Sequence, residues 1–145
     1  MSFDPYIHFQ GTCREAMTAY QALFGGKLDL MPYRAAPEWP PGTPEAMRTS
    51  DLVMHGTLVL PDGRCLMASD FPPGMGGDPQ QAVSICHTAP NIERAREIFA
   101  VLANGGTVIM EFQPTFWADG FGMVKDRFGT HWMVLAPWRS QALSA

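Results

Sequence analysis

The chain has 145 residues, of which 46% are hydrophobic and 17% charged, with a formal net charge of -4 at pH 7. That length suits a single domain whose folding buries roughly two-thirds of the unfolded surface, so neither a disulfide nor a structural metal is needed to hold it. Only ten basic residues are present and they are scattered, which excludes a phosphate-tracking nucleic-acid surface. No apolar run approaches the length that crosses a bilayer.

The opening MSFDPYIHFQ has no basic region followed by a long apolar core, so a secretory signal is not expected and the chain reads as cytoplasmic. Three cysteines, Cys13, Cys65 and Cys86, are an odd number without a CxxC pair and fit reduced thiols.

Pro5 to Gln10 is a short, apolar-rich, β-prone segment broken at Gly11. Thr12-Cys13-Arg14-Glu15 has the T-x-x-E form of a capping box, and Ala16, Met17, Tyr20, Leu23 and Phe24 follow at helical spacing up to Gly25-Gly26, a positive-φ stop. Lys27 to Tyr33 reads as a second strand. Residues 35–48 hold four prolines, which forbid a regular ladder and predict a loop. Asp51 to Leu60 and Arg64 to Ser69 read as a hairpin closed by Pro61-Asp62-Gly63.

The order then repeats. Ala82 to His87 is a predicted strand, Asn91 a helix cap, Gly105-Gly106 the end of that helix near Ala103, and Thr107 to Phe112 a strand. Phe121 to Asp126 and His131 to Ala136 make a hairpin turning at Arg127-Phe128-Gly129. The two Gly-Gly helix ends match at an offset of 80, the two hairpin glycines Gly63 and Gly129 at an offset of 66, and the difference of 14 is the length of the proline-rich loop. The first half therefore reads as the second plus an inserted loop. The expected class is α+β, with two tandem βαβββ modules at about 1–70 and 81–140 joined by a linker over 71–80.

Tyr6-Ile7-His8-Phe9-Gln10-Gly11, Glu15-Ala16, Phe24-Gly25-Gly26, Met54-His55-Gly56 and Met67-Ala68-Ser69-Asp70 carry a resemblance, as does Phe116 to Gly122 leading into Lys125-Asp126-Arg127-Phe128-Gly129-Thr130-His131-Trp132. With these motifs the chain resembles the PhnB-like (3-demethylubiquinone methyltransferase-like) group of the vicinal oxygen chelate superfamily, the glyoxalase, bleomycin-resistance and dioxygenase group. The resemblance implies sheets curled into half-barrels around a shared ligand cavity, and a homodimer. In metal-dependent relatives the ligands fall at places that correspond here to Asp4 or Pro5, Met67, Ala82 or Val83, and Met133. Of these only Asp4 suits a hard divalent ion, so no metal and no cofactor is expected.

Strand alternation puts Tyr6, His8 and Gln10 on one face and Ile7 and Phe9 on the other. His8 and His55 are thereby candidate ligand-binding residues, each equally readable as a core histidine satisfied by a carbonyl. The same parity assigns Met67, Met133 and Cys65 to the cavity wall, where Met suits irregular apolar ligands or simply fills core. Trp117, in a turn-rich stretch with Phe116, is either a lid over the cavity or an anchor at a subunit seam. Asp70 and Asp126 fall at strand ends and are expected to cap backbone N–H groups. The leading expectation is metal-free binding of an unknown small, partly apolar molecule by His8, His55, Met67, Trp117 and Met133. The alternatives are a metal-dependent lyase, isomerase or antibiotic-resistance-type transferase using His8, His55 and Glu111, and a dimeric scaffold. No Rossmann glycine motif, P-loop or nucleophile elbow is present, and a methyltransferase would need a glycine-rich doubly wound sheet that this pattern lacks.

Overall fold

A computed structural model describes residues 3–138, and they form two compact units that divide after Pro79. In the first, β1 (Tyr6–Phe9), α1 (Cys13–Phe24), β2 (Lys27–Pro32), β3 (Val53–Val59) and β4 (Cys65–Asp70) follow in chain order, with a short α2 (Glu45–Arg48) inside the proline-rich loop. The second repeats the plan as β5 (Ile85–Thr88), α3 (Ile92–Ala103), β6 (Thr107–Gln113), β7 (Phe121–Lys125) and β8 (His131–Leu135). The sheet orders are β1-β4-β3-β2 and β5-β8-β7-β6. In each the first strand runs parallel to the last and the other pairs are antiparallel. This is the βαβββ arrangement, twice.

Each helix covers one face of its own sheet. Cys13, Ala16, Met17, Tyr20 and Leu23 are the buried stripe of α1, and Ala95, Ile98, Phe99 and Leu102 that of α3, the three-and-four spacing of an amphipathic helix. Ile7, Phe9, Leu58, Leu66 and Ala68 are buried in the first unit, while Tyr6 and His8 on the alternate positions of β1 stay open. Burying each Leu, Ile or Phe contributes about 1.5–3 kcal/mol, so this parity sets which face stays free.

The repeat also holds at one close packing contact. A Cβ on Gly26 would run into the carbonyl oxygen of Val59, and one on Gly106 into that of Lys125; these pairs are related by the same offsets, 80 and 66, that the sequence displays. In each unit, then, the strand after the helix leaves against the end of its hairpin partner, where only glycine fits.

Several local expectations change. Thr12 makes no side-chain cap to α1. Instead Asp70, at the end of β4, accepts the N–H groups of Gly11 at 2.9 Å and Cys13 at 3.0 Å on Oδ1, and that of Val53 at 2.9 Å on Oδ2. A buried carboxylate is the stronger acceptor, and it displaces the capping box. Asp126 acts likewise, taking N–H groups from Phe128 and Thr130 on Oδ1 and the Trp132 indole on Oδ2. Asn91 does cap α3, accepting from the Arg94 N–H at 2.8 Å. The strand expected from Ala82 begins only at Ile85, because Ala82 has φ 55°, outside the strand region. α2 was hidden among prolines, yet Pro44 precedes its first residue, where the missing N–H is harmless. Among the described residues no helix is long and apolar enough to cross a membrane.

Candidate functional site

The open face of the first sheet gathers hydrogen-bonding side chains from three strands. In register, Tyr6 on β1 lies beside Met67 on β4, and Met67 beside Thr57 on β3; His8 lies beside Ser69. His55 projects from β3, opposite Met31 on β2. Side chains in adjacent rows of a twisted sheet meet diagonally, and the Tyr6 hydroxyl reaches His55 Nδ1 at 3.0 Å. The other ring nitrogen, His55 Nε2, is 3.0 Å from the Thr57 hydroxyl, and His8 Nδ1 is 3.2 Å from the Ser69 hydroxyl.

The rings form a row. Tyr6 stands 5.1 Å from His8 and 5.7 Å from His55 between ring centroids, and Phe71, just beyond β4, stacks on His8 at 5.4 Å. The Gln10 side chain donates to the Gly77 carbonyl, which ties the following loop near this end of the sheet. Val53, two residues before His55 and so on the same side by simple alternation, is buried at 1% exposure; a register break between Met31 and Pro32 separates it from His55 and Thr57.

His8, His55 and Met67 are thus brought together, whereas Met133 and Trp117 belong to the second unit. Met133 is half-buried on β8 between Cys86 and Met123. Trp117 is half-buried and stands edge-on to Phe116 at 4.9 Å and Phe121 at 5.5 Å. Glu111 is exposed on β6. Tyr6, Thr57 and Ser69 were not singled out from the sequence. Alternation places Tyr6 beside His8 and Thr57 beside His55, but only the register between strands shows that the two pairs meet.

Cys13 is fully buried, and burial, then the charge of Asp70, push its thiol up to about 12. It is no nucleophile at neutral pH. Burial also raises the Cys86 thiol. Tyr33, whose hydroxyl donates to the Asp70 carbonyl at 2.9 Å, is raised by burial and by the same carboxylate. The inserted loop has a recess of its own, about 460 Å³, bordered by Pro37, Trp39, Pro41 and Arg48.

A divalent centre of the kind the resemblance implies does not fit these residues. Among the described residues no three His, Cys, Asp or Glu side chains come together as a ligand set, and both nitrogens of His55 are engaged by hydroxyls. Met67 and Met133 offer thioethers, which hard cations do not take.

Protein YjdN of Escherichia coli (strain K12) is 31% identical to this chain over 140 residues, covering 92% of this chain and 94% of that protein. The crystal structure of protein PA1353 from Pseudomonas aeruginosa superposes with a TM-score of 0.82 at 37% identity, over 94% of this chain and 97% of that one. A putative 3-demethylubiquinone-9 3-methyltransferase, PhnB protein, from Bacillus cereus shares the fold with a TM-score of 0.68 at 22% identity, over 94% of this chain and 100% of that one. Residues 3–134 match the sequence pattern of the Glyoxalase/Bleomycin resistance protein/Dioxygenase superfamily. With the βαβββ plan present twice, the chain belongs to that superfamily.

Proposed function

We propose that this chain binds a small, partly apolar molecule on the open face of its first sheet, without a metal ion. The observation that supports this reading is the cluster itself. Five side chains, Tyr6, His8, His55, Thr57 and Ser69, orient one another through three hydrogen bonds around Met67. An exposed face with no task needs no such mutual arrangement, since water satisfies its polar groups one by one. Sites of this kind combine a soft apolar floor with a few fixed polar groups. Met133 and Trp117 are proposed to serve the same ligand class from the second unit.

A catalytic reading, as a lyase, isomerase or transferase, has one specific support. His8 Nδ1 is held by Ser69, leaving Nε2 without a protein partner among the described residues, the arrangement of an imidazole available as a general base. A cytoplasmic homodimer is also proposed. The free state of Cys13, Cys65 and Cys86 suits a reducing compartment, and β6 leaves Val108, Ile109 and Met110 exposed, apolar area that a second copy would cover. Light scattering giving the mass of one chain at high micromolar concentration would count against the dimer.

Native mass spectrometry and elemental analysis of the purified protein test the binding reading. The expected result is a small organic adduct that is lost in His8→Ala, with no stoichiometric metal. About one zinc, manganese or nickel ion per chain, lost in the same variant, would replace this reading with the metalloenzyme.

A further inference from the structure

We propose that the ligand carries an oxyanion, a carboxylate or phosphate-type group, held between the Tyr6 hydroxyl and His8 Nε2, and that its binding is coupled to protonation of His55. This rests on binding at the face described above.

Both ring nitrogens of His55 meet hydroxyls, Tyr6 at Nδ1 and Thr57 at Nε2. A hydroxyl can donate or accept, so the ring keeps both bonds as either neutral tautomer and as a cation. The cation differs in one respect: both N–H groups donate, Tyr6 accepts from Nδ1, and the phenol proton must turn away from His55 toward the open face. In the neutral tautomer with Nδ1 bare, that same proton points inward and Tyr6 offers the outside only lone pairs. Protonating His55 therefore fixes Tyr6 as an outward donor and places a positive charge behind it, 5.7 Å away between ring centroids.

The neighbouring group completes a pair of donors. His8 lies on the other side of Tyr6 at 5.1 Å, its Nδ1 held by Ser69 and its Nε2 available. When Ser69 donates to Nδ1, or when the ring is a cation, His8 Nε2 carries a proton, and that N–H beside a phenol hydroxyl matches two oxygens of one oxyanion. Met67, in register with Tyr6 and Thr57, and Phe71, stacked on His8, supply the apolar surface for the rest of the molecule.

Other charges near the face are few. From β2 come Lys27 and Asp29, paired with each other at 3.5 Å and both largely exposed. Asp4 is exposed ahead of β1 and Asp78 in the loop beyond β4; β4 adds the Cys65 thiol, and β3 adds His55 alone. Asp70 serves the opposite, helix-bearing side, bonded to Gly11, Cys13 and Val53. A bound anion favours the charged form of a nearby imidazole, His8 as well as His55, so ligand and protons reinforce each other and affinity rises as pH falls.

The experiment titrates the full chain with benzoate and with benzamide, which has nearly the same shape and no charge, at about pH 6 and about pH 8, following the histidine ring signals by NMR. Phenyl phosphate in a parallel titration separates the two oxyanion classes. Benzoate, phenyl phosphate or both are expected to move the His8 and His55 rings and to bind about tenfold more tightly at the lower pH, while benzamide shows no such dependence. Tyr6→Phe should weaken the anion about tenfold and benzamide less, and His55→Gln should reduce the pH dependence to the part that His8 supplies. Benzamide binding as well as the anions at both pH values would overturn the oxyanion assignment and leave the binding reading standing. If none of the three compounds moves either ring, both fall.

Discussion

The Asp70 carboxylate lies 3.0 Å from the backbone nitrogen of Cys13, a residue 57 positions earlier in the chain. The end of the last strand of the first unit therefore caps the start of its helix, and it also holds the first residue of β3 through Val53. One side chain locks three elements.

Asp70→Ala leaves three backbone N–H groups without their acceptor, each costing about 1–3 kcal/mol when buried. A loss of about 4 kcal/mol or more in urea unfolding is expected. Asp70→Asn keeps one oxygen for Gly11 and Cys13 but turns an amide donor on the Val53 N–H, and should cost about 2 kcal/mol. A variant within about 0.5 kcal/mol of wild type would mean that the caps are supplied by water.

Glycine is required at Gly106 and Gly129 for different reasons. Gly129 has φ 90° and open space where a Cβ would sit, whereas Gly106 has an ordinary φ but faces the Lys125 carbonyl and the Asp126 backbone. Gly129→Ala should then cost about 1 kcal/mol of strain, and Gly106→Ala about 2–3 kcal/mol because backbone must move. The reverse order in denaturant midpoints would contradict the packing account.

Cys13 gives a pH dependence with a fixed sign. The unfolded thiol titrates near 9.0 and the folded one near 12, raised first by burial and then by Asp70. Above 9.0 the unfolded chain releases a proton that the folded chain retains, so stability is full below that pH and falls as pH approaches about 12. Tyr33, also raised, adds to the alkaline loss, so Cys13→Ala serves as the comparison. Wild type should lose stability more steeply than the variant above pH 9.0; parallel slopes would show that Cys13 ionises without unfolding.

Much of this fold can be read from local pattern. Helical spacing from Ala16 to Leu23, the Gly-Gly stops and the Pro61-Asp62-Gly63 turn need only neighbours in sequence, and all appear in the structure. Thr12 misleads because its competitor, Asp70, is distant in sequence and close in space. The site shows the same division. Parity alone puts His8 on the open face, but the bond from Tyr6 to His55 spans 49 residues and depends on β4 lying between β1 and β3, an order that alternation within a strand does not encode.

The central claim is that His8 contacts a ligand rather than supporting the core. It is tested most directly by thermal unfolding of His8→Ala together with a screen of small carbonyl, aromatic and anionic compounds followed through the His8 and His55 rings and the Met67 methyl. His8 stands on the exposed side of β1, and the buried Ile7 and Phe9 remain in place. The variant should therefore lose less than about 1 kcal/mol of stability, and compounds that move the His55 and Met67 signals together in wild type should bind it about tenfold more weakly. A loss of about 3 kcal/mol with unchanged ligand responses would contradict the claim and make His8 a structural histidine.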